Sequence, residues 1–314
     1  MTDQRAAAGP AAQVVVVGSI NMDMISLSKR LPAPGETLMG EAFAMTPGGK
    51  GANQAVAAAR LGAPVAFLSR VGTQAHGREL LAALAAEGIA TEGVVVDEAA
   101  LPGIAVIMVA SEGGENSIVY VPGSNADLAP ADVDAGAALL QGARVLVAQL
   151  EVPVPAIRRA FELARAAGVT TILNAAPALP AGAELLPLTD WLVLNETEAA
   201  QFAGLPAGGL EEAGQAARAL LLQGPHQVAV TLGAQGVLLC EATGALTHLP
   251  ARVVKAVDTV GAGDTFVGGL ATGLAEGMAA ADAVRLGQAA AAIAVSRSGV
   301  QSAMPRRAEL AEEL

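Results

Sequence analysis

The sequence predicts an α/β protein: a doubly wound, mainly parallel sheet with helices on both faces, plus a small β-sheet. Short, wholly apolar runs alternate with amphipathic stretches of helical length that stop at glycine, the pattern of βαβ units. Two segments punctuated by proline and glycine break that rhythm without a crossover helix. The chain has 314 residues, 53% hydrophobic and 15% charged, which is too apolar for a disordered chain and long enough for one large domain or two ordinary ones.

In chain order, Val14–Val17 is four valines, a strand buried on both faces. Residues 51–61 have helical spacing and stop at Gly62; 65–68 is a second strand; 77–87 is a helix that stops at Gly88. From residue 145 the alternation becomes regular. Strand 145–148 precedes helix 154–167 and Gly168. Strand 170–173 leads through a Pro/Ala loop to strand 191–194, and then come helices 196–203 and 211–223 and strand 228–231. Helices 264–276 and 280–296 close the pattern. The two exceptions are residues 24–45, with Pro32, Pro34 and Gly35, and residues 104–121, which read as strand, Ser-Glu-Gly-Gly-Glu turn, strand. Both are expected to supply antiparallel strands to a small extra sheet that covers a ligand cleft or pairs with another subunit. No internal repeat or long linker divides the chain. Residues 1–12 are Ala/Gly/Pro-rich and expected to be a flexible N-terminus, leaving 13–314 as a single α/β domain.

Composition excludes several functions. The formal net charge is -12, and no basic stripe is present to displace counterions, so nucleic acid is not the expected partner. No apolar run approaches the roughly 18 residues of a membrane span. Cys240 is the single cysteine, which excludes an internal disulfide or a cysteine-rich zinc site, and His76, His226 and His248 lie far apart. Residues 1–12 lack the apolar core of a signal peptide, so a cytoplasmic protein acting on something small is expected. Aromatic residues are 2%, too few for stacking to be the main recognition device. Lysine occurs only at positions 29, 50 and 255, which gives weight to Lys50 within its glycine cluster.

Four clusters could carry chemistry. Gly18-Ser19-Ile20-Asn21-Met22-Asp23 follows the first strand; Asn21 and Asp23 alternate, so in an extended segment both point to one side and suit vicinal hydroxyls. A polar turn after a strand is the plainer reading. Gly48-Gly49-Lys50-Gly51-Ala52-Asn53-Gln54-Ala55 opens a helix with Lys50 and Asn53 one turn apart. It is neither a P-loop nor GxGxxG; it suits a polar ligand or, alternatively, is a flexible loop before a packing helix. Asn195-Glu196-Thr197-Glu198 starts a helix after a strand. Its acids either complement the helix dipole or form an acidic edge for hydrated Mg²⁺. Asp258-Thr259-Val260-Gly261-Ala262-Gly263-Asp264-Thr265-Phe266 is the most informative. Its small residues leave N–H groups open at a positive helix end, an anion hole. Asp264 at the same place is explicable if it takes a proton while a phosphoryl group moves onto a hydroxyl; the alternative is an ordinary N-cap.

Together, in this order, the clusters resemble the ribokinase-like carbohydrate kinase family, from about Val14 to Pro305. The 48–55 stretch looks like that family's N-terminal signature and 258–266 like its C-terminal one. The resemblance implies ATP-dependent phosphorylation of D-ribose at O5. Asn21, Asp23, Gly49, Lys50, Gly51, Asn53 and Glu151 would bind sugar hydroxyls. Asp264 would be the general base, with Gly261, Ala262 and Gly263 forming the anion hole. Asn195, Thr231, Gly233, Gly236, Gly263 and Gln288 would line the ATP site, and Glu198 would act on Mg²⁺ through water. A monovalent cation, usually K⁺, would sit by Asp258 and the carbonyls of Val260, Ala294, Arg297 and Gly299. Position 303 is Ala where the family often offers Ser, so one side-chain oxygen is absent. The resemblance also implies a β lid formed by about 21–47 and 101–124, and a homodimer through it. The same chemistry on 2-deoxyribose, a ketohexose or a nucleoside is the alternative within the class. A non-catalytic sugar-binding protein is the alternative outside it, and the presence of Asp264 argues against that reading. A dehydrogenase would need GxGxxG after the first strand, which is absent.

Overall fold

The computed structural model describes residues 12–113 and 115–310; the N-terminal stretch expected to be flexible lies, apart from residue 12, outside them. The chain begins with β1 (Val14–Val17), passes through β2 (Asn21–Ser28) and β3 (Ala42–Gly48), and returns by α1 (Lys50–Arg60) to β4 (Val65–Gly72). Next come α2 (Gly77–Ala86), β5 (Ala90–Asp97), β6 (Gly103–Ala110), β7 (Asn116–Val121) and the short α3 (Pro130–Ala135). The second half runs β8 (Val145–Gln149), α4 (Val154–Ala166), β9 (Thr170–Asn174), β10 (Trp191–Asn195), α5 (Glu196–Ala203), α6 (Leu210–Leu221) and β11 (Gln227–Thr231). It closes with β12 (Val237–Cys240), β13 (Leu246–Leu249), α7 (Ala262–Ala275) and α8 (Ala280–Val295).

The main sheet has nine strands in the order β13-β12-β11-β10-β9-β8-β1-β4-β5. β1 is central, parallel to β4 and β8, with Val14 opposite both Val65 and Val145. Its valines alternate between two cores. Val15 and Val17 join Phe161 of α4 and Leu220 of α6 on one face. Val14 and Val16 join Ala55 of α1 and Leu270 of α7 on the other. A strand covered on both faces must be apolar throughout, which is why these runs were legible. Three strands are additions to the sequence reading. β5 contains Thr91, Glu92 and Gly93, and β12 and β13 are four residues each and antiparallel to their neighbours at the sheet edge.

The second sheet has the order β3-β2-β6-β7 and matches the two irregular segments. The expectation of antiparallel strands throughout needs correction: β2–β3 and β6–β7 are antiparallel, but β2–β6 is parallel. Only strands joined by a tight turn are obliged to reverse. β2 and β6 are separated by β3, α1, β4, α2 and β5, long enough for the chain to come back in the same direction. Among the described residues no helix is long and apolar enough to cross a membrane.

Candidate active site

Parallel strands deliver their last residues to one edge of the sheet. Gln149 pairs with Asn174, and Asn195 with Thr231, so the ends of β8 to β11 line up four polar side chains. α1 and α7 start at the same edge. Gly261 has φ +76° and precedes α7, and a side chain there would lie 2.6 Å from Val300 Cγ1; only glycine makes this turn without strain. The α7 N-terminus therefore faces the cavity with its positive dipole end. The Ala262 N–H makes a long 3.3 Å bond to the Thr259 carbonyl, and the Thr265 N–H bonds the Gly261 carbonyl at 2.9 Å.

Asp264, in the first turn of α7, is 7% exposed. Asn53 Nδ2 donates to its Oδ2 and Gln54 Nε2 to its Oδ1, both at 3.0 Å. Each amide is set by a further one. Gln301 Nε2 donates to Asn53 Oδ1 at 3.0 Å, Gln149 Nε2 to Gln54 Oε1 at 2.7 Å, and Gln54 Nε2 also reaches Asn174 Oδ1 at 2.9 Å. The carboxylate accepts only, so both amides must turn their NH₂ groups toward it, and the orientation of the whole array follows. Gln54 and Asn174 are functional residues the sequence reading did not single out. Gln54 lay inside the quoted glycine cluster, and Asn174 is a polar residue closing an apolar run.

A cavity of about 200 Å³ is lined by Lys50, Asn174, Asn195, Glu198, Thr231, Gly261, Gly263 and Asp264, with Ala176, Val193 and Leu194. Seven of the sequence-derived site residues thus share one space. Asn195 and Glu198 hold each other in a capping box: the Glu198 N–H donates to Asn195 Oδ1 and the Asn195 N–H to Glu198 Oε2, both at 2.8 Å. Burial raises the Glu198 carboxyl above its ordinary value, opposed by the Asn195 N–H and Lys50 and reinforced by Asp264. Burial works against the Lys50 ammonium, but Asp264, Glu151 and Glu198 outweigh it and hold the group above its ordinary value.

Beside this cavity, β2 carries Asn21 and Asp23. Asp23 is pushed up to about 7, first by burial and then by the charges of Glu151 and Asp264. Glu151 Oε2 accepts from Ser19 Oγ at 2.6 Å and from the Lys50 N–H at 3.0 Å. Asn21 Oδ1 accepts from Asn125 Nδ2 at 2.8 Å. Gly49 precedes α1 with φ +90°. Gly51 sits deeper: it is buried and its N–H is directed to Ser19 Oγ at 3.3 Å. On the nucleotide side, Gln288 Nε2 is bonded to the Leu249 carbonyl at 2.8 Å, and Gly236 packs against the same carbonyl. Gly233 opens the short turn between β11 and β12. These three lie outside the lining of the cavity.

The segments expected to hold a monovalent cation are joined by hydrogen bonds. The N–H groups of Val257 and Asp258 both reach the Val295 carbonyl, at 2.7 and 3.2 Å, and Arg297 N–H bonds the Ala294 carbonyl at 3.0 Å. Asp258 accepts from the Val260 N–H at 3.0 Å and the Gly299 N–H at 3.2 Å. Ala303 is buried and offers no side-chain oxygen.

A carboxylate held at a positive helix end, beside a second group of polar and acidic side chains, is an arrangement suited to phosphoryl transfer onto a small polyol. The model of the pfkB family of carbohydrate kinases matches residues 11–307. The chain belongs to that family. It is 41% identical over 301 residues to a ribokinase of Haemophilus influenzae, covering 96% of this chain and 98% of the relative. It is 36% identical over 293 residues to a deoxyribokinase of Salmonella typhi, covering 93% and 95%. The structure of Arabidopsis thaliana ribokinase complexed with ribose and ATP superimposes with a TM-score of 0.89 at 33% identity, covering 96% of this chain and 98% of that one.

Proposed function

We propose that this chain transfers the γ-phosphoryl group of ATP to O5 of D-ribose, giving D-ribose 5-phosphate and ADP. The observation that carries the reading is Asp264, with both carboxylate oxygens held by amide NH₂ groups at the N-terminus of α7. As the new O5–P bond forms and the γ-phosphorus parts from the β,γ-bridging oxygen, Asp264 takes the hydroxyl proton. The N–H groups of Ala262, Gly263 and Asp264 face the charge on the phosphoryl oxygens, and Lys50 adds its own. Asn21, Asp23, Gly49, Lys50, Asn53 and Glu151 hold the sugar. Asn195, Thr231, Gly233, Gly236 and Gln288 line the nucleotide side.

Glu198 faces the cavity with Lys50 and Asp264, a carboxylate suited to hydrated Mg²⁺, which would neutralise phosphate charge. The Asp258 carboxylate and the carbonyls of Val260, Ala294, Arg297 and Gly299 are an all-oxygen set suited to K⁺, which would fix the turn before α7. We infer that the work is done in the cytoplasm. Residues 13–314 act as one α/β domain, with β2, β3, β6 and β7 as its lid.

We also infer a homodimer through that lid. Met45, Met24, Val106 and Val119 form one row across the small sheet, on the face opposite Asp23. Met45, Val106 and Val119 are exposed, as is Phe43 nearby, and such an apolar patch suits a second copy.

Deoxyribose is the closest competitor, because a deoxyribokinase is among the relatives. The set of hydroxyl acceptors around Asp23 and Glu151 favours the sugar that has every hydroxyl, since a missing one leaves a buried group unpaired. A coupled ADP-release assay over D-ribose, 2-deoxyribose, fructose and adenosine tests this. D-Ribose is expected to have the highest kcat/KM; a higher value for any of the others overturns the substrate assignment and leaves the kinase class standing.

A further inference from the structure

Tyr120 is the single tyrosine of the chain, and the site described so far has no role for it. It lies on β7, the edge strand of the lid, with Ile118, Val119 and Val121 around it. The sheet register fixes where its side chain goes. Tyr120 is opposite Ala105, Ala105 is opposite Asp23, and Asp23 is opposite Thr46. Residues directly opposite on neighbouring strands point to the same face. Tyr120, Ala105 and Asp23 therefore form one row, on the face that also carries Asn21, two residues before Asp23. Two strand spacings, about 10 Å, separate the backbones of Tyr120 and Asp23.

The floor between these two walls is kept low. In the Tyr120 row it is the methyl group of Ala105. In the next row, Asn21 is opposite Gly103, where a Cβ would lie 2.1 Å from Asn21 Oδ1 and 2.3 Å from Asn125 Nδ2. The polar wall formed by Asn21 and Asn125 can stand there only because that position has no side chain.

The phenol is wired into this wall as an acceptor. Asn125 Nδ2 donates to the Tyr120 oxygen at 3.3 Å. Asn125 Nδ2 serves the Ile20 carbonyl at 3.2 Å and Asn21 Oδ1 at 2.8 Å as well. Two hydrogens thus face three acceptors, and the phenol is the farthest. A phenol has one hydrogen of its own, and with its oxygen accepting from the Asn125 amide that hydrogen is left for a ligand. Burial, and then the charge of Glu151, push the group up to about 12, so it remains a neutral donor at working pH.

We propose that Tyr120 is a substrate-contacting, specificity-determining residue: its hydroxyl donates a hydrogen bond to a sugar oxygen at the end of the acceptor away from Asp23, and its ring closes a compartment two strands wide. Asp23 reads sugar hydroxyls by accepting from them, and Tyr120 reads a sugar oxygen by donating to it. The pair selects a compact pentose by one end against the other, and the ring bars larger acceptors such as ketohexoses and nucleosides. This deepens the sugar-kinase reading above and rests on it.

Two variants separate the hydroxyl from the ring. Tyr120→Phe keeps the wall and removes the donor. Ribose affinity, measured by calorimetry without ATP, is expected to fall about three- to tenfold. The KM should rise by the same factor while kcat and the melting temperature stay close to those of the parent. Tyr120→Ala removes the wall, and the ratio of kcat/KM for ribose over fructose is expected to fall at least about tenfold. Unchanged sugar affinity and KM in Tyr120→Phe, or an unchanged ratio in Tyr120→Ala, overturns the proposal. If the parent protein prefers another sugar, the ribose assignment fails alone, and Tyr120 is judged by the same affinity measurement on that sugar. If the parent protein binds no sugar, both fail.

Discussion

Replacing Asp23 by Asn is expected to make the sugar-free protein more stable while destroying its sugar affinity. The Asp23 carboxyl rises from 3.8 to about 7 on folding, because it is buried near Glu151 and Asp264. Between those two values the folded protein binds a proton that the unfolded chain has released. Stability is therefore present in full below about pH 4, is lost as pH rises through that window, and is flat above about pH 7. A shift of this size corresponds to roughly 4 kcal/mol, and solvent at the mouth of the site screens part of it, leaving about 2–3 kcal/mol. Asn has the same shape and no charge to desolvate. Denaturation of both proteins from pH 4 to pH 8, in sugar-free buffer, should show equal stability near pH 4. The variant should lead by about 5 °C in Tm at pH 8. Its ribose affinity should be nearly abolished, because a carboxylate that accepts from hydroxyls is gone. A difference in Tm that does not change with pH, or a variant less stable than its parent at pH 8, would refute the reasoning.

Asp264→Asn should lower kcat by about 10²–10⁴-fold with ribose affinity largely kept; a near-parental kcat removes Asp264 from the reaction. Gln54→Leu leaves Asp264 Oδ1 and Asn174 Oδ1 without their donor, so kcat should fall by about tenfold or more while Lys50 and the nucleotide loop keep ATP affinity near normal. Equal kcat would mean that the amide does not orient the base. In an organic buffer free of Na⁺ and K⁺, turnover should rise on adding K⁺ or Cs⁺, with a high midpoint because Ala303 contributes no oxygen; a flat titration rules out activation. Val106→Lys places a charge in the middle of the exposed apolar row and should convert a dimer to monomers in sedimentation velocity, whereas an unchanged sedimentation coefficient would move the interface elsewhere.

The parts of the fold that were legible in sequence are those whose local pattern and final environment agree. Val14–Val17 is apolar because both its faces are covered, and Gly62, Gly88 and Gly168 end helices or turns with positive φ. β5 was missed because Thr91 and Glu92 belong to an edge strand with one solvated face, and β13 because Thr247 and His248 interrupt its apolar residues; β12, a buried apolar run of four like β1, carried the same signal. The parallel β2–β6 pairing depends on where distant segments meet, which no local pattern records. In the site, Asp264 stood out because a carboxylate at a glycine-rich helix start is incongruous. Gln54 did not: a glutamine in a helix reads as an ordinary polar residue until tertiary packing buries it at 1% exposure. Tyr120 was hidden for another reason: only the register across three strands places it in one row with Asp23.

The amide array around Asp264 has a consequence for the order in which the protein matures. Its members come from α1, the ends of β8 and β9, the start of α7 and the turn at Gln301. The bond from Gln301 to Asn53 spans 248 positions of chain, and that from Gln54 to Asp264 spans 210. Arg60 fastens the same distant turn by donating to the carbonyls of Gln301 and Met304. During synthesis, α1 and β1 emerge long before the residues that complete the base, and contacts of such separation form late because the loop must close first. A chain that has folded only its leading strands and lid lacks both Glu151 and an oriented Asp264. Turnover therefore reports on the docking of the final turn and serves as an assay of complete folding that secondary-structure content cannot replace.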